Sequence, residues 1–523
     1  MKTLLRDLRW ILPASLGVGL VLSFLGPGTW WIGWSSYAFI LLLGLVALSS
    51  LWRSCGASRL MGLLLLLTIT LRLGVGMAFS YILPTVGNDN EVQNAGYVFR
   101  DSFTRDTQAW NLASSSESLW SAFDKSTSSD QYGGMLFLSG LLYRFLSPDA
   151  HRPWLVILVG ALVAALGVLL AWKVVRKAWG EPVAWGTAWI MALYPEAILL
   201  GSSQMREPFL MTFVGMGFWG VVNWLEHRRT SSAWLAGGIA GMLLFNPSIA
   251  LAAIIIITIW VLIQAKGSRL ARVGWIAGGV AVAALAGFIF LGAVGSSLLI
   301  QGGPLENLLN WFRFSAQWDA YLLQLRSGWI QNIFGTLPAS LHLPFIIGYG
   351  IAQPVLPAAI ADPAAWPMRV LGIVRGLGWY ALLPFLVYSL RPILKMGEKR
   401  ARSAWLWLWL VTWGWIILSA ARAGGDQWDN PRYRLIFLLF QAALAIQAIT
   451  WQRTSHDRWL WRFLAVEGVF LSLFGYWYAA RYTNWQAGQV HIYVIIVLIV
   501  IISTGILVGG WIADRRRATV FTK

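Results

Sequence analysis

Long apolar runs recur along almost the whole chain, separated by short polar punctuation. A bilayer-spanning helix needs about 20 apolar residues. The runs near that length are Trp10–Leu25, Tyr37–Trp52, Leu60–Ile82, Trp154–Trp172, Val183–Leu200, Pro208–Leu225, Trp234–Phe245 and Ile249–Leu262. They continue with Val273–Leu299, Met368–Leu390, Trp405–Ala420, Leu435–Thr450, Leu460–Ala480 and Ile492–Ile512. The pattern predicts an all-α polytopic membrane protein of about 14 transmembrane helices. The pair around Asn246 and Pro247 is short and reads as two spans or as one long broken helix. The first run carries no small-residue cleavage site, so it reads as an anchor and not a cleaved signal.

The basic residues decide between those readings. Lys2, Arg6 and Arg9 come first, and Arg53 and Arg59 follow. Then come Lys173, Arg176 and Lys177, the pair Arg228 and Arg229, and the trio Lys266, Arg269 and Arg272. Arg391, Lys395, Lys399, Arg400, Arg402, Arg453, Arg458 and Arg515–Arg517 complete the series. With fourteen spans and both termini in the cytoplasm, all of them fall on the inner side, as positively charged loops do. Merging the Asn246 pair would reverse every later loop. The expected location is therefore the plasma membrane, with the larger polar loops outside the cytoplasm.

Five segments follow: membrane helices over 1–82, a first outer loop over 83–153, core helices over 154–300, a second outer loop over 301–367, and C-terminal helices over 368–523. The first loop is acidic, with Asp89, Glu91, Asp101, Asp106, Glu117, Asp124, Asp130 and Asp149. Within it, Gly133–Leu146 reads as a helix lying along the membrane. In the second loop, Leu305, Leu308, Leu309 and Phe312 share one helical face, as in a helix at the interface. Pro338, Pro344, Pro354 and Pro357 then interrupt an apolar stretch that reads as re-entrant, which lipid tolerates only where protein covers it.

Composition agrees with this reading. Of 523 residues, 58% are hydrophobic and 12% charged, against roughly 25% charged in soluble domains. The 34 tryptophans exceed what a core needs and suit headgroup level. A net charge of +18 would favour nucleic acid only if it gathered on one soluble face; here it is spread over membrane loops, so no nucleic-acid partner is expected. Cys55 is the only cysteine, which excludes a disulfide and a Cys-based metal site. The five histidines form no metal-ligand spacing, and neither a phosphate loop nor a serine nucleophile elbow is present.

Three outer clusters hold the candidate chemistry. "RDTQAWNLA" spans Arg105–Ala113; as a helix it would set Asp106 near its start, where the dipole favours an anion, with Trp110 and Ala113 on the same face. A solvated capping acid is the plainer reading. "MREP" places Arg206 and Glu207 at a helix mouth, with Pro208 suited to a first turn. A capping acid beside a snorkelling arginine would also explain them; the alternative is a second carboxylate beside a phosphate-binding cation. "GGDQWDNPRYR" sets Arg432, Tyr433 and Arg434 at the start of a span, where arginine forks match phosphate oxygens or act as interfacial anchors. Arg72, Glu196 and Arg375 fall in the outer halves of their spans, and an outward-facing cavity holding all three is expected. Glu467 falls in an inner half.

At these residues the chain resembles the GT-C superfamily of polytopic glycosyltransferases, near the protein O-mannosyltransferases and lipid A aminoarabinose transferases. Against the pattern Asp-Glu-x-x-Tyr-x-x-x-Ala of their first outer loop, "DTQAWNLA" gives Asp106, Trp110 and Ala113 at similar spacing. "DQYGGMLFLSGLLYRFLSPDAHRP" stands where a juxtamembrane helix follows. "YPEAILLGSSQMREP" fits a span ending in proline before a second outer acid, and "NPRYRLIF" fits a late Arg-Tyr pair. The resemblance covers about Leu60–Thr450. It departs at Thr107, where an acid often stands, at Asp130-Gln131, which replace prolines, and in two extra spans at the N-terminus.

The resemblance implies transfer of a hexosyl or pentosyl group from a polyprenyl-phosphate donor to a lipid, glycan or protein acceptor outside the cytoplasm, with inversion. It implies Asp106 as catalytic base, with Asp89 and Asp101 as other loop acids open to that role. Arg206, Arg432, Tyr433 and Arg434 would hold the donor phosphate. Glu207 would be a metal ligand or second acid, with a divalent metal left open as cofactor. An oligosaccharide polymerase or ligase, a lipid-linked sugar flippase or transporter, and a purely structural membrane protein are the rival readings.

Overall fold

The architecture is that of a computed structural model. It describes residues 2–124, 132–226, 228, 230–264, 328–482 and 489–521, with isolated residues between 273 and 321. Among the described residues there are helices and no strands. The protein is an all-α, multi-pass integral membrane protein. Among the described residues, eleven helices are long and apolar enough to cross a bilayer, and a bent pair makes up to twelve. Of the fourteen expected spans, Trp234–Phe245 lies in the shorter helix Ser231–Phe245. Val273–Leu299 lies for the most part outside the described residues. The interfacial face of Leu305, Leu308, Leu309 and Phe312 also lies outside them.

The chain forms two compact units, Met1–Trp311 with Leu435–Leu439, and Phe312–Arg434 with Phe440–Lys523. The first contains α1 (Lys2–Leu25), α2 (Trp30–Ser54), α3 (Arg59–Val86), α4 (Glu91–Asn94), α5 (Arg100–Ser114), α6 (Gly134–Leu146) and α7 (Pro153–Trp179). It continues with α8 (Glu181–Leu193), α9 (Pro195–Gly201), α10 (Glu207–Leu225), α11 (Ser231–Phe245) and α12 (Pro247–Gln264). Helix α7 is apolar on all faces and packs against α2, α3, α8 and α10, as a helix without a polar stripe must. Small residues permit the closest crossings. A Cβ on Gly238 would come within 2.6 Å of the Gly217 backbone, and one on Gly220 within 2.5 Å of the Leu235 backbone, so α10 and α11 meet backbone to backbone.

Two breaks follow from local chemistry. Pro195 holds Tyr194 extended (ψ 124°), and α8 and α9 bend by 52° there. The carbonyls of Met191 and Ala192 are taken by the Arg72 guanidinium at 3.1 and 3.0 Å. Between α11 and α12, Asn246 is extended, and its side chain accepts from the Ser248 backbone N–H at 3.1 Å. This cap, with Pro247 opening α12, makes the region two helices.

The turns of the first unit collect by chemistry at two ends. At one end the α1–α2 turn is tied to the α6–α7 turn. Thr29 N–H donates to Asp149 at 2.7 Å and Arg152 donates to Thr29 O at 3.0 Å. Gly28 has φ +83°, and a Cβ there would meet Ala150 at 2.4 Å. The start of α6 meets the last turn of α11, where Gly134 faces Leu244 O. At the other end stand Lys173 with Ser54 and Lys177 with Glu226.

The second unit contains α13 (Gly328–Thr336), α14 (Ala339–Ala352), α15 (Leu356–Ile360), α16 (Trp366–Tyr388), α17 (Leu390–Lys395), α18 (Lys399–Ala423) and α19 (Asp429–Arg434). Helices α20 (Leu438–Ser455), α21 (Trp459–Tyr482) and α22 (Ile492–Phe521) follow. One core joins Ile330, Ile333 and Ile346 to Phe474, Trp477, Tyr478, Ile492 and Ile495. A second joins Tyr388, Ala448 and Leu460. The stretch from 328 to 360, expected to be re-entrant, is three helices, of which Ala339–Ala352 has 14 residues, short of a full span.

Candidate active site around Asp106

Helix α5 begins at Arg100 with Phe99 as its cap, so Asp101 occupies the first turn. Asp106 is its seventh residue, in the middle of the helix and not near its start as expected. The N-terminal dipole therefore does not stabilise it, since that effect fades within the first turn. Packing does. Ser102, Arg105, Asp106, Ala109 and Leu112 form the buried face, at helical spacing. Helix α6 covers that face, with Gly140 opposite Ala109 O. Arg144 of α6 donates to Ala113 O and Ser115 O at 3.3 and 3.1 Å and also bonds Leu112 O. It thereby closes the C-terminus of α5.

Asp106 has 2% of its surface exposed. The other described acids in 89–124 (Asp89, Glu91, Asp101, Glu117 and Asp124) are exposed. Both oxygens of Asp106 are engaged. Tyr97 donates to Oδ2 at 2.5 Å and Tyr143 donates to Oδ1. His151 Nε2 lies 2.8 Å from Oδ2, off the line of a hydrogen bond. Trp110 stacks on the His151 ring at 5.2 Å and meets Tyr143 edge-on at 6.0 Å. Burial first, and then the Asp106 charge, push the Tyr97 phenol well above its ordinary range. The same two causes raise Tyr143. Both therefore stay protonated and serve as donors. His151 keeps 29% of its side chain exposed, so it is the outward-facing member of this group.

The stretch 201–207 reaches the same place from the other side. Gln204 has φ +53°, a left-handed conformation uncommon for a residue other than glycine. Its side chain lies beside the Tyr97 hydroxyl, whose upward shift it moderates, and donates to Pro153 O at 3.3 Å. Arg206 lies over the Tyr132 ring at 5.0 Å. Glu207 opens α10 with Pro208 behind it and is 1% exposed. Loop one and the start of α10 thus touch at Tyr97–Gln204 and Tyr132–Arg206, and Tyr97 links Gln204 to Asp106.

In the second unit, Arg432 pairs with Asp429 at 3.1 Å and Tyr433 donates to Asp429 at 3.3 Å. Arg434 lies 3.4 Å from the Trp379 ring centre. Asp426 turns the segment by accepting from the Trp428 and Asp429 N–H groups at 2.6 and 3.0 Å. Of the three residues expected to share a cavity, Arg72 and Glu196 belong to the first unit and Arg375 to the second. Arg72 is spent on the carbonyls ending α8; Arg375, in the second unit, bonds Gln427 O at 3.1 Å and covers Trp428. Among the described residues no three His, Cys, Asp or Glu side chains converge to hold a metal ion.

No protein-family model matches the chain, and no curated protein matches it. Among solved structures, the chain is similar to the archaeal oligosaccharyltransferase AglB from Archaeoglobus fulgidus, in complex with an inhibitory peptide and a dolichol-phosphate. The TM-score is 0.40 and the identity 12%, over 88% of this chain and 55% of that one. The apo form of the Archaeoglobus fulgidus oligosaccharyltransferase gives a TM-score of 0.41 and 12% identity over 82% and 55%. The chain spans 55% of the length of each. A likeness this remote assigns no residue.

Proposed function

We propose that the protein is a membrane glycosyltransferase. It moves a sugar from a polyprenyl-phosphate donor to an acceptor hydroxyl at the extracytoplasmic face, with inversion. The observation that carries this reading is Asp106, a buried carboxylate held by Tyr97 and Tyr143 beside the partly exposed His151. A carboxylate fixed by two donors is oriented and shielded from water, which suits a base acting on one proton.

In the reaction, the acceptor oxygen attacks the anomeric carbon. The bond from that carbon to the phosphate oxygen breaks, and its electron pair leaves on the phosphate. The acceptor proton passes to the Tyr97 oxygen as the Tyr97 proton moves to Asp106. Attack opposite the leaving group inverts the anomeric centre. The charge developing on the phosphate needs fixed cations; Arg206 is assigned that role, and Arg432 and Arg434, with Tyr433 between them, are the second unit's candidates for it. Glu207 is assigned as the second acid that orients Arg206.

The test incubates the purified protein with a panel of radiolabelled polyprenyl-phosphate sugars and candidate acceptors. Asp106→Asn should lower transfer by about 10²- to 10⁴-fold while the protein stays folded. Transfer that survives in Asp106→Asn overturns the role of Asp106. A folded protein that binds the donor yet transfers to no acceptor points to a lipid-linked sugar carrier instead.

A further inference from the structure

A proton that reaches Asp106 has to leave before the next transfer. A glycosyl phosphodiester carries one negative charge, and the monoester it leaves behind is close to doubly charged at neutral pH. Each turnover therefore releases a proton. Asp106 is almost fully covered and cannot hand that proton to water itself. Among the described residues, three side chains reach its oxygens: Tyr97, Tyr143 and His151. The two phenols already donate to the carboxylate, and burial together with the Asp106 charge keeps their protons on. The way back through Tyr97 ends on the oxygen that has just been glycosylated. His151 offers the other route.

We propose that His151 is the proton exit of Asp106, a relay from the buried carboxylate to the outer solvent. The proposal rests on the reading above for the origin of that proton. Nε2 lies 2.8 Å from Asp106 Oδ2 and is enclosed, whereas Nδ1 is not. The side chain as a whole keeps 29% of its surface exposed, against 1% for Asp106. One ring thus sets one nitrogen at the carboxylate and leaves the other on the open side. A neutral imidazole has one donor nitrogen and one acceptor, which is what a relay between those two places requires.

The local structure holds the ring in that pose. His151 lies in the turn between α6 and α7. Ser147 donates to Ala150 O at 2.5 Å, and Arg152 clamps Ser147 and Asp149 at 2.9 and 2.5 Å. Trp110 stacks on the imidazole at an interplanar angle of 24°, and Tyr143 meets it edge-on at 5.0 Å. A small turn of the ring in its own plane, along the Trp110 face, brings Nε2 into line with Oδ2; catalytic hydrogen bonds commonly tighten in this way once substrate binds. The step balances. Imidazole with its proton on Nδ1 takes the Asp106 proton at Nε2 and becomes imidazolium. It then gives the Nδ1 proton to water, which leaves Asp106 ionised and the ring neutral. Turned to water between turnovers, the ring regains its starting tautomer by exchanging protons with solvent.

Two measurements on the detergent-solubilised full chain test this. The first needs no substrate. It follows the Asp106 carboxylate band by time-resolved infrared spectroscopy after a drop in pH, with Asp106→Asn assigning the band. His151→Ala should slow the response about tenfold or more, and imidazole added to the buffer should restore it, because the vacated space opens outward. His151→Gln fills that space without relaying a proton, so it should be as slow and should resist rescue. Thermal unfolding of each variant checks that it folds. The second measurement is steady-state transfer. His151→Ala should lower kcat about 10- to 100-fold with KM little changed, and imidazole should restore it. An infrared response equal to wild type in His151→Ala overturns the proposal, as does an unchanged kcat or a loss that imidazole leaves unrestored. An infrared response that depends on His151 in a protein that transfers nothing would leave the relay standing and remove the glycosyltransferase.

Discussion

At the scale of single residues, Asp106 shows how burial selects among similar groups. The first outer loop holds several acids, and the described ones at 89, 91, 101, 117 and 124 are exposed. Asp106 is covered because the buried face of α5 passes through it. Tyr97 is the residue on which the proposed proton path turns. Tyr97→Phe keeps the ring and removes the hydroxyl, so kcat should fall about 10- to 100-fold with KM little changed, measured by steady-state transfer. Unchanged kcat would mean that Asp106 receives its proton by another route. The spacing of Asp106, Trp110 and Ala113 was readable from the sequence. Tyr97, Tyr143 and His151 were not, because they lie on other segments and no periodicity connects them to Asp106.

At the scale of elements, charged side chains close helix ends that the sequence leaves open. A proline ends α8 in the apolar interior, and its orphan carbonyls need donors. Arg72 supplies them, and Gly201 makes room, since a Cβ there would lie 2.7 Å from Arg72 Cδ. Arg72→Leu should destabilise the protein by about 1–3 kcal/mol, read as a lower midpoint in detergent unfolding. An unchanged midpoint would remove this role.

The α1–α2 turn gives a pH signature. Hydrogen bonding to Arg152 holds the Asp149 carboxyl below its usual range. Its folded value is depressed, so its contribution is present above the unfolded value of about 3.9 and is lost as pH falls through the folded one. Asp149→Asn should therefore lower the unfolding midpoint at neutral pH. The difference from wild type should shrink as pH drops below ~4, measured by unfolding scans over a pH series. A difference independent of pH would contradict the ion-pair account.

At the scale of the whole molecule, the two ends of the first unit differ. One holds the first outer loop and its acids, and the other holds Lys173, Arg176 and Lys177. The positive-inside rule orients that difference in a membrane. With Cys55→Ser as background, Ser116→Cys should react with an impermeant maleimide from outside intact cells. Glu181→Cys should react only after permeabilisation. The opposite pattern would put the Asp106 site in the cytoplasm and exclude an extracytoplasmic transferase.

Hydrophobic period and length alone determined that this is a helical membrane protein and set most span boundaries, because lipid forces each crossing to satisfy its own backbone. That constraint is local, so a linear reading recovers it. Tertiary structure decided that Asp106 is buried mid-helix and that Gln204 reaches Tyr97. It also decided that Arg72 caps a broken helix. Those outcomes depend on which helix faces pack together, and contacts between segments remote in sequence leave no pattern along either one.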